Sequence, residues 1–262
     1  MLLCIHMNIT PDFKNRLLAG ERLAGTFLNL GSSLVVEIAG CAGFDWLLID
    51  QEHGVGGEDT LLHQLQAASA TPAFPIVRIA ANEGPRFKRA LDFGAGGIMV
   101  PWVNNAAEAK AAVAAMYYPP RGVRGVMKFN RACEFGTGFA DYSTQGHERL
   151  VLMTQIETAE ALENVEEIAA VEGVDVLFIG PMDLTTSLGI QEQFTHPTYL
   201  AAVKRITDAA RKAGKVTGIL LLNPALLPMC QEYGITAVCL GSDGGHVNAG
   251  LRASAAAIKA AK

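Results

Sequence analysis

The sequence predicts an α/β protein and, within that class, a single-domain (β/α)8 TIM barrel. Three observations lead there. Eight short apolar runs alternate with helical segments at a spacing of roughly 25–35 residues, the rhythm of βαβ units and a parallel sheet. The two clearest runs, beginning at Val151 and Val176, are apolar without alternation, as strands covered on both faces are. The length of 262 residues suits one α/β barrel, and no linker or low-complexity tract divides it. Eight is the count at which a parallel sheet closes on itself. The alternative, an open doubly wound sheet, is weakened because no G-x-G-x-x-G turn follows the first strand.

After a polar lead-in, 25–30 is the first strand, and Gly31-Ser-Ser33 caps a helix whose apolar positions run from Leu34 to Ala42. The second strand, 44–50, runs into Gln51-Glu-His-Gly54, and a helix over 58–70 follows. The third, 75–80, carries Arg78 near its end. Proline opens and Gly94 closes the helix 85–93. The fourth strand is 97–101, and Asn105 caps an alanine-rich helix reaching Tyr118. From Pro119 to His147 no period is visible. A loop of that length in a compact domain is usually functional, and this one could carry His147 inward.

The fifth strand, 151–157, ends in Glu157. A helix over 159–171 separates it from the sixth, which starts at Val176 and turns at Gly180-Pro181 toward Asp183 and a short helix 184–188. An amphipathic helix over 198–213, a seventh strand 215–221, a helix 224–233, an eighth strand 236–241 and a last alanine-rich helix complete the chain.

Half of the residues are hydrophobic and 18% are charged, the balance of a globular enzyme. The net charge of −5 argues against a nucleic-acid partner. No run approaches a membrane helix, and the apolar start, with Cys4 and His6, is short for a signal peptide. The five cysteines are widely spaced without a CxxC, which fits reduced thiols rather than disulfides or zinc. The expectation is a cytoplasmic protein.

On a barrel, residues just past the strand C-termini collect on one face, where chemistry is done. That face would hold Asp50, Glu52, His53, Arg78, Gln155, Glu157, Asp183, Ser242 and Asp243. Glu157 and Asp183, on neighbouring strand ends, can share one hard divalent cation through oxygen. Each alone reads equally well as a helix-capping acid. His53, in a loop directly past a strand end, is placed for acid/base work. Arg78 sits in an apolar strand, so its charge must be paired or meet an anion. Asp92 lies at a helix C-terminus, where the dipole disfavours an acid, and that misfit hints at a task such as orienting a histidine. No lysine falls at a strand C-terminus to form a Schiff base, so carbonyl chemistry would fall to a metal. Gly241-Ser-Asp-Gly-Gly245 reads as a glycine turn more readily than as a phosphate cradle, since Asp243 would repel phosphate.

At these residues the sequence resembles the HpcH/HpaI family of metal-dependent class II pyruvate aldolases, the 4-hydroxy-2-oxoheptanedioate aldolase group. The matching segments are Gly43-Phe-Asp-Trp-Leu-Leu-Ile-Asp-Gln-Glu-His53, Tyr118-Pro-Pro-Arg-Gly-Val-Arg-Gly125, Gln155-Ile-Glu157, Val171-Glu-Gly-Val-Asp175 and Phe178-Ile-Gly-Pro-Met-Asp-Leu184. The resemblance implies reversible cleavage of a 4-hydroxy-2-oxo acid to pyruvate and an aldehyde through a metal-stabilised pyruvate enolate. It makes Glu157 and Asp183 the ligands of magnesium or manganese, with cobalt as a further option. It makes His53 the acid/base, with Asp92 raising its basicity, and Arg78 the enolate stabiliser. Gln155, Leu220 and the backbone at Met182 and Asp183 would hold pyruvate. It also implies a homo-oligomer, usually a hexamer, whose terminal helix exchanges between neighbours. Gln51 stands where many relatives have glycine, and Phe27 where some have tryptophan. Two rival readings remain: a decarboxylase of oxaloacetate or a CoA-ester lyase using the same enolate, and a non-catalytic barrel that binds a 2-oxo acid.

Overall fold

The structure, a computed structural model, describes residues 11–261; Cys4, His6 and Lys262 lie outside the described residues, and of Pro11 and His147 the backbone alone is described. Eight parallel strands close into a barrel in chain order: β1 Leu23–Leu28, β2 Trp46–Asp50, β3 Phe74–Arg78, β4 Gly97–Val100, β5 Val151–Ile156, β6 Val176–Ile179, β7 Val216–Leu221 and β8 Ala237–Ser242. All eight expected strands are present, with ends moved by a residue or two.

Alternation along each strand explains the two cores. Phe27, Trp46, Leu48, Phe74, Ile76, Met153 and Phe178 fill the barrel interior. Their neighbours Leu28, Leu47, Ile49, Val77, Leu152 and Ile179 pack outward with the helices. Two large rings cross the interior edge to face, Trp46 and Phe178, with centroids 6.3 Å apart. Glycine faces each of them. A Cβ at Gly25 would overlap the Trp46 indole, and one at Gly218 would lie 2.5 Å from the Phe178 ring.

The polar lead-in is a helix, α1 Pro11–Leu18, that closes the N-terminal end of the barrel. Phe13 stacks on Phe74 at 4.2 Å, and Leu17 is fully buried. Lys14 on this helix donates to Leu150 O at 2.7 Å and to Asp175 Oδ2 at 3.0 Å. The helices α2 Ser33–Cys41, α3 Glu58–Ala68, α4 Gly84–Asp92 and α5 Ala106–Met116 follow the expected plan. Ser32 and Asn105 cap α2 and α5 with their side chains.

The stretch after α5 is not a loop at the catalytic face. It contains a 3-10 turn, Arg131–Gly136, and a helix, α6 Phe139–Arg149. Helix α5 returns the chain to the N-terminal end of the barrel, so this whole segment lies there, with α6 packed on α1. The expected helix over 159–171 is broken at Asn164 into α7 Ala159–Glu163 and α8 Val165–Ala169. Asn164 turns its side chain to Asn104 O at 2.9 Å. Helix α9 Pro181–Ser187 starts earlier than expected, so Asp183 lies inside its first turn rather than ahead of it. Helix α10 Pro197–Lys212 and helix α11 Leu227–Tyr233, the latter led by a 3-10 turn, match expectation. The last helix, α12 Asp243–Ala260, leaves Val247, Leu251 and Ile258 exposed.

Candidate active site

The inward-facing ladder of the barrel changes character at the strand C-termini. Below are rings; above are Asp50 on β2, Arg78 on β3 and Gln155 on β5, with Glu157 just past β5. All four are buried. The β2–β3 register sets Asp50 directly beside Arg78. The guanidinium donates Nε to Asp50 Oδ1 at 2.9 Å and Nη2 to Asp50 Oδ2 at 2.7 Å, a bidentate pair. Its Nη1 reaches Glu52 Oε2 at 3.1 Å, and its face lies 5.1 Å from the Phe27 ring. Burial alone would raise the Asp50 carboxyl. The Arg78 pair and the N–H groups of Glu52 and His53 overcome it and hold Asp50 below the usual range. Glu52 is pushed up by its burial, against the pull of Arg78. The partner demanded by a charge in an apolar strand is therefore Asp50, and two carboxylates share one cation.

Glu157 is the second pole. Its Oε1 accepts from the Trp102 backbone N–H at 2.7 Å, and its Oε2 accepts from Gln155 Nε2 at 2.8 Å. Burial pushes its carboxyl up to about 7, less than it otherwise would because of the Trp102 N–H; Asp183 and Glu52 push further in the same direction. Gly180, between β6 and α9, faces this carboxylate. A Cβ there would overlap Glu157 Oε2 and lie 2.8 Å from Glu157 Cβ. Gln155 Oε1 is buried and has no protein partner.

This donor set fits a hard divalent cation. Glu157, Asp183 and Glu52 repel one another across the site, and an orphaned amide oxygen lies beside them. Among the described residues no group of three or more His, Cys, Asp or Glu is arranged to hold a metal ion. Two carboxylates suit a cation that leaves positions for substrate and water. Gly180→Ala is expected to displace Glu157 and weaken Mn2+ binding about tenfold or more; titration of the metal-free protein checks this.

His53 is at the mouth but exposed. Its side chain is 70% accessible, and Nε2 lies 4.0 Å from Glu52 Oε2. Leu220 on β7 is partly buried against the interior cluster. Met182 and Asp183 present first-turn N–H groups of α9, which have no helical partner. Asp243 does not face an anion. It accepts from the N–H groups of Asn29, Leu30 and Gly244 and so occupies the would-be phosphate cradle itself.

Asp92 is not brought to His53 within this chain. Helix α4 runs back along the barrel, so its last residue lies at the opposite end. There Asp92 accepts from Arg124 Nη2 at 2.5 Å and from Asn130 Nδ2 at 3.0 Å. The acid that answers the unfavourable helix end is paired with arginine, not histidine.

The sequence reading underused Asp50 and Glu52 and missed Trp102. A readable signal existed for the first: a buried base on one strand end calls for an acid at the same parity on its neighbour. Nothing in the residue type announces a tryptophan that serves through its backbone.

A model of the HpcH/HpaI aldolase/citrate lyase family matches residues 23–249. A 4-hydroxy-2-oxo-heptane-1,7-dioate aldolase from Salmonella dublin is 40% identical over 250 residues, 95% of each chain. A pyruvate aldolase from Rhizobium etli is 42% identical over 231 residues, 88% of this chain and 91% of that one. The solved structure of an HpcH/HpaI aldolase/citrate lyase family protein from Burkholderia cenocepacia has a TM-score of 0.91 at 35% identity, covering 95% of this chain and all of that one. A closed parallel barrel with acids and an arginine at its C-terminal mouth, matched in sequence along nearly its whole length, belongs to the HpcH/HpaI aldolase/citrate lyase family.

Proposed function

We propose that this chain is a metal-dependent pyruvate aldolase that reversibly cleaves a 4-hydroxy-2-oxo acid to pyruvate and an aldehyde. The observation that carries the reading is Glu157, with both oxygens held by protein donors, set among Asp183, Glu52 and Arg78 at the barrel mouth. The names of the relatives above support the same substrate class. Glu157 and Asp183 would hold the metal, magnesium or manganese, which when bound would supply Lewis acidity toward the 2-oxo acid.

The chain's own groups do the rest. The N–H groups of Met182 and Asp183 take the pyruvate carboxylate, and Leu220 lines the site beside it. Gln155 fixes Glu157 with its amide nitrogen and keeps a buried oxygen without a protein partner beside it. Arg78 keeps N–H groups on Nη1 and Nη2 beyond its hydrogen bonds to Asp50. These are available to charge that develops on the keto oxygen as the carbon–carbon bond breaks. His53 moves the proton of the 4-hydroxyl. Asp92 can orient His53 only from a neighbouring copy, which fits the hexamer with an exchanged terminal helix that the resemblance implies. The free thiols of Cys41, Cys133, Cys230 and Cys239 suit the cytoplasm.

The test is pyruvate release from 4-hydroxy-2-oxoheptanedioate and from a 2-keto-3-deoxy sugar acid, in EDTA and then with added magnesium or manganese. The expected result is release that EDTA stops and metal restores; release indifferent to EDTA, or none in any metal, overturns the reading. His53→Ala is expected to lower kcat about 100-fold or more while Mn2+ and pyruvate still bind. Unchanged turnover would remove His53 from the reaction.

A further inference from the structure

Trp102 has a backbone that its residue type does not favour. It follows β4 with φ of 54°, the left-handed region that bulky residues rarely occupy. Its indole gains no burial from this, being 54% exposed. The gain is on the main chain. The turn aims the Trp102 N–H at Glu157 Oε1, 2.7 Å away. Sparsely populated backbone conformations persist where their surroundings over-determine them, and they cluster at working sites.

The surroundings here are polar and specific. Asn104 Nδ2 donates to Trp102 O at 3.3 Å, and Asn104 Oδ1 accepts from Thr158 Oγ1 at 2.5 Å. Thr158 is the residue after Glu157, so Asn104 ties the turn after β4 to the turn after β5. Asn104 N donates to Glu108 Oε2 at 2.7 Å, and Val103 is fully buried beneath. One side of the Glu157 carboxylate is thus fixed by a neighbouring strand's backbone and the other by Gln155.

We infer that Trp102 is a positioning residue for the metal-binding carboxylate, acting through its left-handed peptide N–H rather than through its indole. The inference rests on Glu157 being a metal ligand. It makes an unusual demand: position 102 tolerates side chains according to their ease at positive φ, not their size or aromaticity. Glycine and asparagine enter that region readily, whereas β-branched residues resist it.

The experiment is Mn2+ titration of metal-free protein, followed by electron paramagnetic resonance, with thermal melting as the fold control. Trp102→Gly and Trp102→Asn are expected to bind within about threefold of the wild type, and Trp102→Val about tenfold or more weaker, the loss typical of a lost partner to a ligand. Equal loss in all three would assign the role to the indole, and no loss in any would assign none; either overturns the inference. Should Trp102→Val fail to fold, replacing the residue 102 amide by an ester, with the indole kept, removes the N–H alone. A tenfold loss is again expected there, as a protein ligand loses its hydrogen-bond partner, and unchanged affinity overturns the inference. Glu157→Ala is the reference. If it binds Mn2+ as the wild type does, the metal reading itself fails; if it loses Mn2+ while the ester protein does not, only the inference about Trp102 fails.

Discussion

Glu157→Gln is expected to lower metal-dependent kcat/KM about a thousandfold or more, the scale of a lost Lewis acid worth several kcal/mol, while the metal-free protein becomes more stable at pH 8. Glutamine keeps the shape. Its oxygen still accepts from the Trp102 N–H, and once the Gln155 amide, whose nitrogen now faces Glu157 Oε2, flips, the new amide group can donate to the Gln155 oxygen. What it loses is charge. The sign of the stability change follows from the raised carboxyl. In the unfolded chain Glu157 ionises near the ordinary value of about 4.3; in the fold it does so at about 7. Stability therefore falls as pH climbs through that window, and glutamine removes the loss. Melting of EDTA-treated protein at pH 5 and pH 8 checks this, at about 2–4 °C per kcal/mol for a chain of this class. Asp183→Ala is expected to lose the same activity. Metal-dependent cleavage surviving either change would end the assignment of the ligands.

Arg78→Leu is expected to damage both function and fold. It strands Asp50, 3% exposed, and leaves Glu52 without its cation. Breaking a buried pair by removing one partner costs about 3–5 kcal/mol, and losing a donor where charge develops costs about 100-fold or more in rate. The two losses separate in the double variant Arg78→Leu/Asp50→Leu, which should regain stability and not activity. The pair also has a pH signature. Asp50 is held below its ordinary value, so its contribution is complete above about pH 4–5 and is lost as pH falls through the depressed value. The stability gap between the wild type and Asp50→Asn should be flat from neutral pH down to that range and narrow below it. A gap that stays constant in acid, or a full-rate Arg78→Leu, would refute the role of the pair.

The sequence alone determined the strands, their count and their parallel closure, because apolar run length and spacing are local properties of the chain. It also placed Glu157 and Asp183 just past adjacent strands, since strand order follows chain order in a barrel. It drew attention to Arg78 by the cost of a charge in an apolar strand. The partner of that charge waited for the register between β2 and β3.

Tertiary structure decided which end of the barrel each segment serves. The unpatterned stretch from Pro119 and the misfit Asp92 both suggested service at the mouth. Helices α4 and α5 deliver them to the other end, where Asp92 pairs with Arg124 and Asn130. Composition carries no such direction; the antiparallel return of each helix imposes it. The N-terminal lead-in likewise showed its purpose only in three dimensions, with Phe13 stacked on Phe74 and Lys14 bonded across the barrel floor. Trp102 marks the limit of sequence reading. A backbone N–H belongs to nearly every residue type, so its aim at Glu157 is set by φ and by the hydrogen bonds of Asn104, not by the side chain that names it.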